Sequence, residues 1–289
     1  MVMSVIELTV GWYRDHKRDL PWRHPEAGAW GVMVSEFMLQ QTPVSRVLPV
    51  YELWLARWPK PGDLAAESSG EAVRAWGRLG YPRRALRLHA AATAIATGHG
   101  GVVPASYEEL RSLPGIGDYT AAAVASFAYG RRHAVLDTNV RRVLARAYSG
   151  AQYPANTVSA AERELAKRIL PEQASDAAAW AAASMELGAL VCTAKAPRCE
   201  QCPVAALCKW RESGYPEHTG PARRGQSYAG TDRQCRGALL AVLRAAHIPV
   251  EAETLFAAWP DEAQRGRALQ GLLTDGLAVR TADSRYRLP

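Results

Sequence analysis

Four cysteines, Cys192, Cys199, Cys202 and Cys208, fall within CTAKAPRCEQCPVAALC at spacing C-x6-C-x2-C-x5-C, and the 289-residue chain has only one other, Cys235. In a reducing compartment thiols this dense argue for a metal rather than for disulfides. The short structural-zinc pattern pairs two C-x2-C knuckles across a longer span, whereas this loop has a single knuckle. Four thiolates wrapped closely around a compact cube are consistent with a 4Fe–4S cluster, and zinc stays open as the alternative. Lys195 and Arg198 lie between the first two cysteines. Their charge suits a phosphate backbone, and it equally suits a solvated loop that offsets the cluster's own negative charge.

A second candidate is SLPGIGDYT at 112–120. Gly115 and Gly117 in a tight turn expose successive amides at the start of the next helix, and such a terminus attracts anions. Ser106 and Glu109 form a capping-box pattern that starts the preceding helix. On its own a P-G-x-G is an ordinary turn.

Something must position these groups. Hydrophobic residues make up 48% and charged residues 22% of the chain, an ordinary globular balance. The net charge of +7 suits a polyanionic partner. The N-terminal segment breaks its apolar run with Glu7, and no later stretch holds about 18 uninterrupted apolar residues, so neither a signal peptide nor a membrane span is expected. The reading is a soluble cytosolic chain. Ala, Leu and Arg at helical spacing, punctuated by Pro and Gly, predict a mainly helical protein. The expected helices are 4–16, 31–41, 44–57, 70–78, 82–98, 106–112, 118–129, 139–148, 159–169 and 176–191. A Gly/Pro/Ser-rich stretch, 213–231, reads as a linker. Helical patterns at 232–246, 251–258 and 261–276 then precede a β-hairpin around a polar turn, which predicts a small winged-helix-like domain over 232–289.

The glycine turn and the downstream cysteines, in that order, resemble the helix–hairpin–helix glycosylase superfamily with an iron–sulfur loop. LPWR at 20–23, SEFMLQQT at 35–42, WGRLGYPRRALRLH at 76–89, LPGIGDYT at 113–120, LDTNVRRVLAR at 136–146 and MELGALVC at 185–192 resemble its adenine DNA glycosylase (MutY) branch. The resemblance spans roughly residues 10–215. It implies a six-helix barrel domain over 29–131 and an iron–sulfur cluster domain over 132–212, against which the N-terminal helix (1–28) packs. It also implies double-stranded DNA carrying a mismatched adenine as partner, a monomer, and a cytoplasmic, nucleoid-associated location.

Removing adenine breaks an N-glycosidic bond whose leaving group is poor until protonated. The resemblance makes Glu36 the acid; Val32, Met33 and Leu39 at helical spacing around it would favour its neutral form. Asp137, just before the helical run NVRRVLARA, is the matching carboxylate beside the cationic sugar, expected to stay ionised at a helix N-terminus, with Asn139 orienting the site. Tyr119 stands where endonuclease III-type enzymes carry the lysine that attacks the sugar, so a monofunctional glycosylase is expected. By the same resemblance Gln40, Gln41, Thr42 and Tyr81 fill the gap left by a flipped base and touch its partner. Arg23, Trp30 and Glu186 line the adenine pocket. Arg83, Arg84, Arg141 and Arg142 are candidate phosphate contacts.

Three departures from the family stand out. Thr138 replaces the usual glycine. Trp30 and Met33 replace the usual Tyr and Trp. The roughly 60 residues after the linker are too few for the β-rich domain that reads 8-oxoguanine in longer members. Preference for adenine opposite 8-oxoguanine or guanine then rests on the glycosylase core. A thymine mismatch glycosylase and a non-catalytic iron–sulfur DNA-binding regulator are the alternative readings.

Overall fold

The structure, a computed structural model, describes residues 3–220 and 228–289. The mainly helical architecture expected from the sequence is observed, and several helix starts follow from capping chemistry. Ser4 with Glu7 opens α1 (Val5–His16) and Ser159 with Glu162 opens α10 (Ala160–Ile169), both as capping boxes. Asp137 caps α9 (Thr138–Ser149) by accepting from the Val140 amide. Gly130 and Gly150, both left-handed, end α8 (Asp118–Tyr129) and α9. The other helices before residue 213 are α2 (Gly28–Leu39), α3 (Val44–Arg57), α4 (Pro61–Ala65), α5 (Ser69–Trp76), α6 (Arg83–Gly98), α7 (Tyr107–Ser112), α11 (Ala174–Leu190) and α12 (Lys209–Glu212). The short α4 and α12 were not expected. Each is a turn or so long, too brief for a hydrophobic period to register.

The described residues form two compact units, 3–32 with 105–111 and 116–220, and 33–104 with 112–115 and 228–289. In the first, α11 lies between α1 and α9. Val5, Val140, Val143, Leu144, Trp180, Leu187, Val191 and Val204 form its core, and Cys192 and Cys202 pack against it. The start of the expected linker is pinned here: Trp210 Nε1 donates to the Pro216 carbonyl (2.9 Å) and the His218 amide to Gln152 Oε1 (2.8 Å). Residues 221–227 of that linker lie outside the described residues.

In the second unit α4 and α5 pack on α6. Trp54 meets Trp58 and Trp76 edge-on, at ring-centroid distances of 4.7 and 5.7 Å, burying large apolar area with favourable quadrupole geometry. Residues 228–289 carry α13 (Asp232–Ala245), α14 (Ala252–Phe256) and α15 (Glu262–Thr274), followed by an antiparallel hairpin, β1 (Val279–Arg280) and β2 (Tyr286–Arg287). Val250 pairs with Tyr286 through an isolated antiparallel bridge. Helix, bridge residue, two helices and hairpin follow the order of a winged helix. These residues belong to the same unit as α3–α6 rather than forming one of their own.

Candidate active site and iron–sulfur loop

The four cysteines expected as ligands line a single pocket with Val143, Ala147, Leu187, Val191, Val204 and Trp210. Burial pushes the Cys202 thiol up to about 11, and the neighbouring cysteines add to the push. Cys192 is raised by burial against the pull of Arg146 and Arg142. Four thiol donors gathered on one pocket are the donor set of a thiolate-bound metal group, so the residues present fit one. Arg146, 1% exposed, braces the loop: it donates to Cys192 Sγ (3.4 Å) and to the carbonyls of Thr193 (2.8 Å) and Ala194 (3.1 Å). Its guanidinium stacks 4.5 Å from the Trp210 ring. Lys195 and Arg198 stand exposed on the same loop.

From this loop a chain of hydrogen bonds runs back to Asp137. Arg142 Nε donates to the Cys192 carbonyl (2.6 Å), and its Nη2 to the Gly188 carbonyl (2.6 Å) and to Asn139 Oδ1 (2.8 Å). Asn139 Nδ2 in turn donates to Asp137 Oδ2 (2.8 Å), while Asp137 Oδ1 accepts from the Val140 amide (2.6 Å). Gly188 makes this possible. A Cβ there would lie 2.7 Å from Asn139 Cβ, so only glycine lets α9 and α11 approach so closely. Burial raises the Asp137 carboxyl, opposed by the Val140 and Asn139 amides, the Asn139 side chain and Arg142. The bonds at the helix terminus favour the ionised form, and burial works against them. Thr138, in place of glycine, sits at the first position of α9 without a positive φ, so the local backbone does not demand glycine.

Arg142 and Arg84, expected as phosphate contacts, are 6% and 9% exposed. Both spend their donors on the protein: Arg84 reaches the Gln40 carbonyl. Arg141 is held by Glu162 (2.8 Å) and Arg83 by Asp275 (3.2 Å). Sequence gives an arginine's charge but not the carbonyls it will meet.

Glu186 has no exposed side chain and accepts five hydrogen bonds. They come from Arg18 Nε (2.9 Å) and Nη2 (2.7 Å), Arg23 Nη1 (3.1 Å) and Nη2 (2.8 Å), and the Arg18 amide (2.9 Å). Burial alone would raise its pKa, but the bonds from Arg18 and Arg23 prevail and hold it at about 2. Any ligand contact by this group passes through the arginines. Arg18 was missed by sequence reasoning; its one signal is that HKRD and LPWR place one arginine before a short 3-10 turn and another, Arg23, at its end. Because the folded pKa is depressed below 4.5, the stabilisation is complete above that value. It is lost as pH falls toward 2, and amounts to roughly 3 kcal/mol. Glu186→Gln is expected to destabilise the protein by about 3–5 kcal/mol at neutral pH, as breaking a buried pair does. Chemical denaturation would show it, and the loss should shrink when measured below pH 3.

Helix α2 holds Glu36 as its only charged side chain, 5% exposed among Met33, Val34, Phe37 and Met38, all essentially buried. Trp30, on the same helix, is also buried. Just after it Gln41 takes φ 56°, and Tyr81, between α5 and α6, takes φ 47°. Non-glycine residues rarely adopt this region, and such strain marks functional sites. The two are tied together: Tyr81 donates its hydroxyl to Gln41 Oε1 (2.7 Å), and Arg84 stacks 4.3 Å from the Tyr81 ring. Tyr81 is nevertheless 53% exposed. Buried Thr42 donates to the carbonyls of Gln40 (3.3 Å) and Leu79 (3.4 Å).

At the glycine turn Gly115 has φ 77°, and a Cβ there would lie 2.6 Å from Arg87 Cβ. Gly117 caps α8 with extended backbone. Arg111 fastens the turn by donating to the Ile116 carbonyl (2.8 Å) and pairing with Asp118 (2.7 Å). Tyr119, half-buried, packs against the small residues Ala122, Ala123, Val135 and Ala181.

Residues 34–171 match the HhH-GPD superfamily base excision DNA repair protein, and 192–208 match the iron–sulfur binding domain of endonuclease III. The loop with its four cysteines thus holds a 4Fe–4S cluster. Adenine DNA glycosylase of Mycobacterium tuberculosis (strain ATCC 25618 / H37Rv) is 53% identical over 282 residues, covering 97% of this chain and 92% of that protein. Adenine DNA glycosylase of Mycolicibacterium smegmatis is 52% identical over 290 residues, covering 100% of this chain and 97% of that protein. Among solved structures, a thermostable thymine-DNA glycosylase superposes with TM-score 0.64 at 27% identity, over 72% of this chain and 95% of that one. The chain belongs to the adenine DNA glycosylase family of the helix–hairpin–helix superfamily of base excision repair proteins.

Proposed function

We propose that the protein is a monofunctional glycosylase that hydrolyses the N-glycosidic bond of adenine mispaired with 8-oxoguanine or guanine in duplex DNA. The observation that carries this reading is the Asp137–Asn139–Arg142 chain, which fixes a carboxylate at the start of α9 by bonds to both its oxygens. A carboxylate so fixed needs no reorganisation to stabilise positive charge developing on a sugar. Glu36, buried in the otherwise apolar sequence of α2, supplies the proton that turns adenine into a leaving group. It then takes a proton from the attacking water. Tyr119 has no amine and forms no Schiff base, so the product is an abasic site with the strand intact.

The exposed pair Gln41–Tyr81 wedges into the duplex and fills the gap left by the flipped adenine, with Gln40 and Thr42 shaping the turn. Gly115 and Gly117 offer backbone amides to a phosphate at the turn before α8, and Lys195 and Arg198 present charge to the backbone from the cysteine loop. Arg18 and Arg23, fixed by Glu186, and Trp30 shape the base pocket. Cys192, Cys199, Cys202 and Cys208 hold the cluster, which when bound would tie the loop 192–208 into one rigid piece. Arg142 passes that rigidity to Asn139 and Asp137.

The test is single-turnover base release from duplexes with A opposite 8-oxoguanine, G or C, and with T opposite G, each with and without alkali. Release of adenine, with breaks only after alkali, is expected. Substantial cleavage without alkali would overturn the monofunctional assignment, and faster release of T than of A would transfer the substrate to thymine.

A further inference from the structure

The C-terminal winged-helix segment leans on the two helices that flank the Tyr81 turn. Arg74 of α5 donates to the Arg244 carbonyl, and Arg244 donates back to the Val73 carbonyl (3.0 Å). Gly70 of α5 lies under the last two residues: a Cβ there would meet the Pro289 oxygen at 2.3 Å. On α6 the link is ionic. Asp275, which ends α15, receives Arg83 on Oδ1 (3.2 Å) and Arg236 of α13 on Oδ2.

Arg83 is the first residue of α6, two positions after Tyr81. A residue held at φ 47° keeps that conformation only if its surroundings over-determine it. From inside the glycosylase part, Trp76 Nε1 holds the Gly80 carbonyl (2.9 Å) and the Arg84 amide holds the Tyr81 carbonyl (3.0 Å). Arg83–Asp275 is the hold supplied from the C-terminal segment. Asp275 is only 21% exposed and already anchored to α13 by Arg236, so it offers Arg83 a fixed point rather than another mobile side chain.

We propose that Asp275 is a positioning residue for Tyr81, and that the C-terminal segment serves the excision reaction by bracing the turn that carries this wedge. The proposal rests on the wedge role given to Tyr81 above. It gives the final 60 or so residues a part in base flipping without any contact of their own to the base opposite adenine.

The experiment uses a duplex with 2-aminopurine beside a non-hydrolysable 2′-fluoro-2′-deoxyadenosine opposite 8-oxoguanine, mixed with the full cluster-loaded protein in stopped flow. Asp275→Asn is expected to slow the fluorescence rise about three- to fivefold, the scale that the coupling of one partly exposed ion pair allows. Asp275→Glu is expected to recover most of it, with thermal stability little changed in either. Arg83→Gln, which leaves the C-terminal fold untouched, is expected to show the same loss. The double variant should lose no more than either single one. Tyr81→Ala separates the two layers. If it flips the base like wild type, the wedge reading fails. If it is impaired while Asp275→Asn and Arg83→Gln both match wild type, the brace is refuted and the wedge stands.

Discussion

Glu36→Gln is expected to bind mismatched duplex with near wild-type affinity and to release adenine about 10²–10⁴-fold more slowly, the contribution of a positioned general acid. The change keeps volume and polarity, so α2 should pack as before around Met33, Phe37 and Met38. It removes only the proton. A carboxyl in a helix buried on nearly every side is costly to keep charged, which favours the neutral, proton-carrying form. A glutamate retained merely as a structural polar group would tolerate glutamine, which can make most of the same hydrogen bonds. Single-turnover rates across pH provide the check. A general acid gives wild type a falling limb toward alkaline pH, and that limb should be missing from the residual activity of Glu36→Gln. Near-normal turnover in this variant would remove the proposed acid.

What the sequence made legible, and what it did not, divides along a physical line. Local signals were readable because they act within a few residues. Ser106 starts α7 by accepting from the Glu109 amide, and the polar turn between two alternating runs marks the wing. The cysteine loop was readable for the same reason, since its ligands lie close together in the chain. Hidden from that reading were interactions between residues far apart in sequence. Arg18 meets Glu186 across 168 positions and Arg142 meets Cys192 across 50. Arg142 has the composition of a surface residue and the environment of a core one, and Arg18, half-buried, spends its donors on a buried carboxylate. Only the close approach of α9 and α11 at Gly188 decides which applies to Arg142. The docking of Arg244 and Asp275 on α5 and α6 is equally absent from periodicity. A winged helix reads the same whether it stands alone or against a neighbour.

The acid on α2 has a counterpart whose substitution should separate catalysis from stability. Asp137→Asn is expected to lower excision by about 10²–10³-fold or more, the loss seen when a preorganised electrostatic partner is removed. The protein should nevertheless stay folded with a Tm equal to wild type or higher. Asparagine caps a helix as well as aspartate does, so the bond to the Val140 amide can persist. The differences are the charge and the bond from Asn139 Nδ2, which an amide nitrogen cannot accept. Asp137 has a folded pKa raised above its ordinary 3.8, through burial that its hydrogen bonds do not fully offset. An acid whose folded pKa is raised binds its proton more tightly when folded. It therefore opposes folding once pH exceeds the unfolded value, and at neutral pH the penalty is largest. Neutralising it should relieve that penalty, and the difference between variant and wild type should vanish below about pH 4. Thermal denaturation of both proteins at pH 7 and at pH 4, beside single-turnover excision, tests both halves. A fall of several degrees in Tm at pH 7 would mean that Asp137 is retained for the fold. Unimpaired excision would mean that the positive charge on the sugar is met by another group.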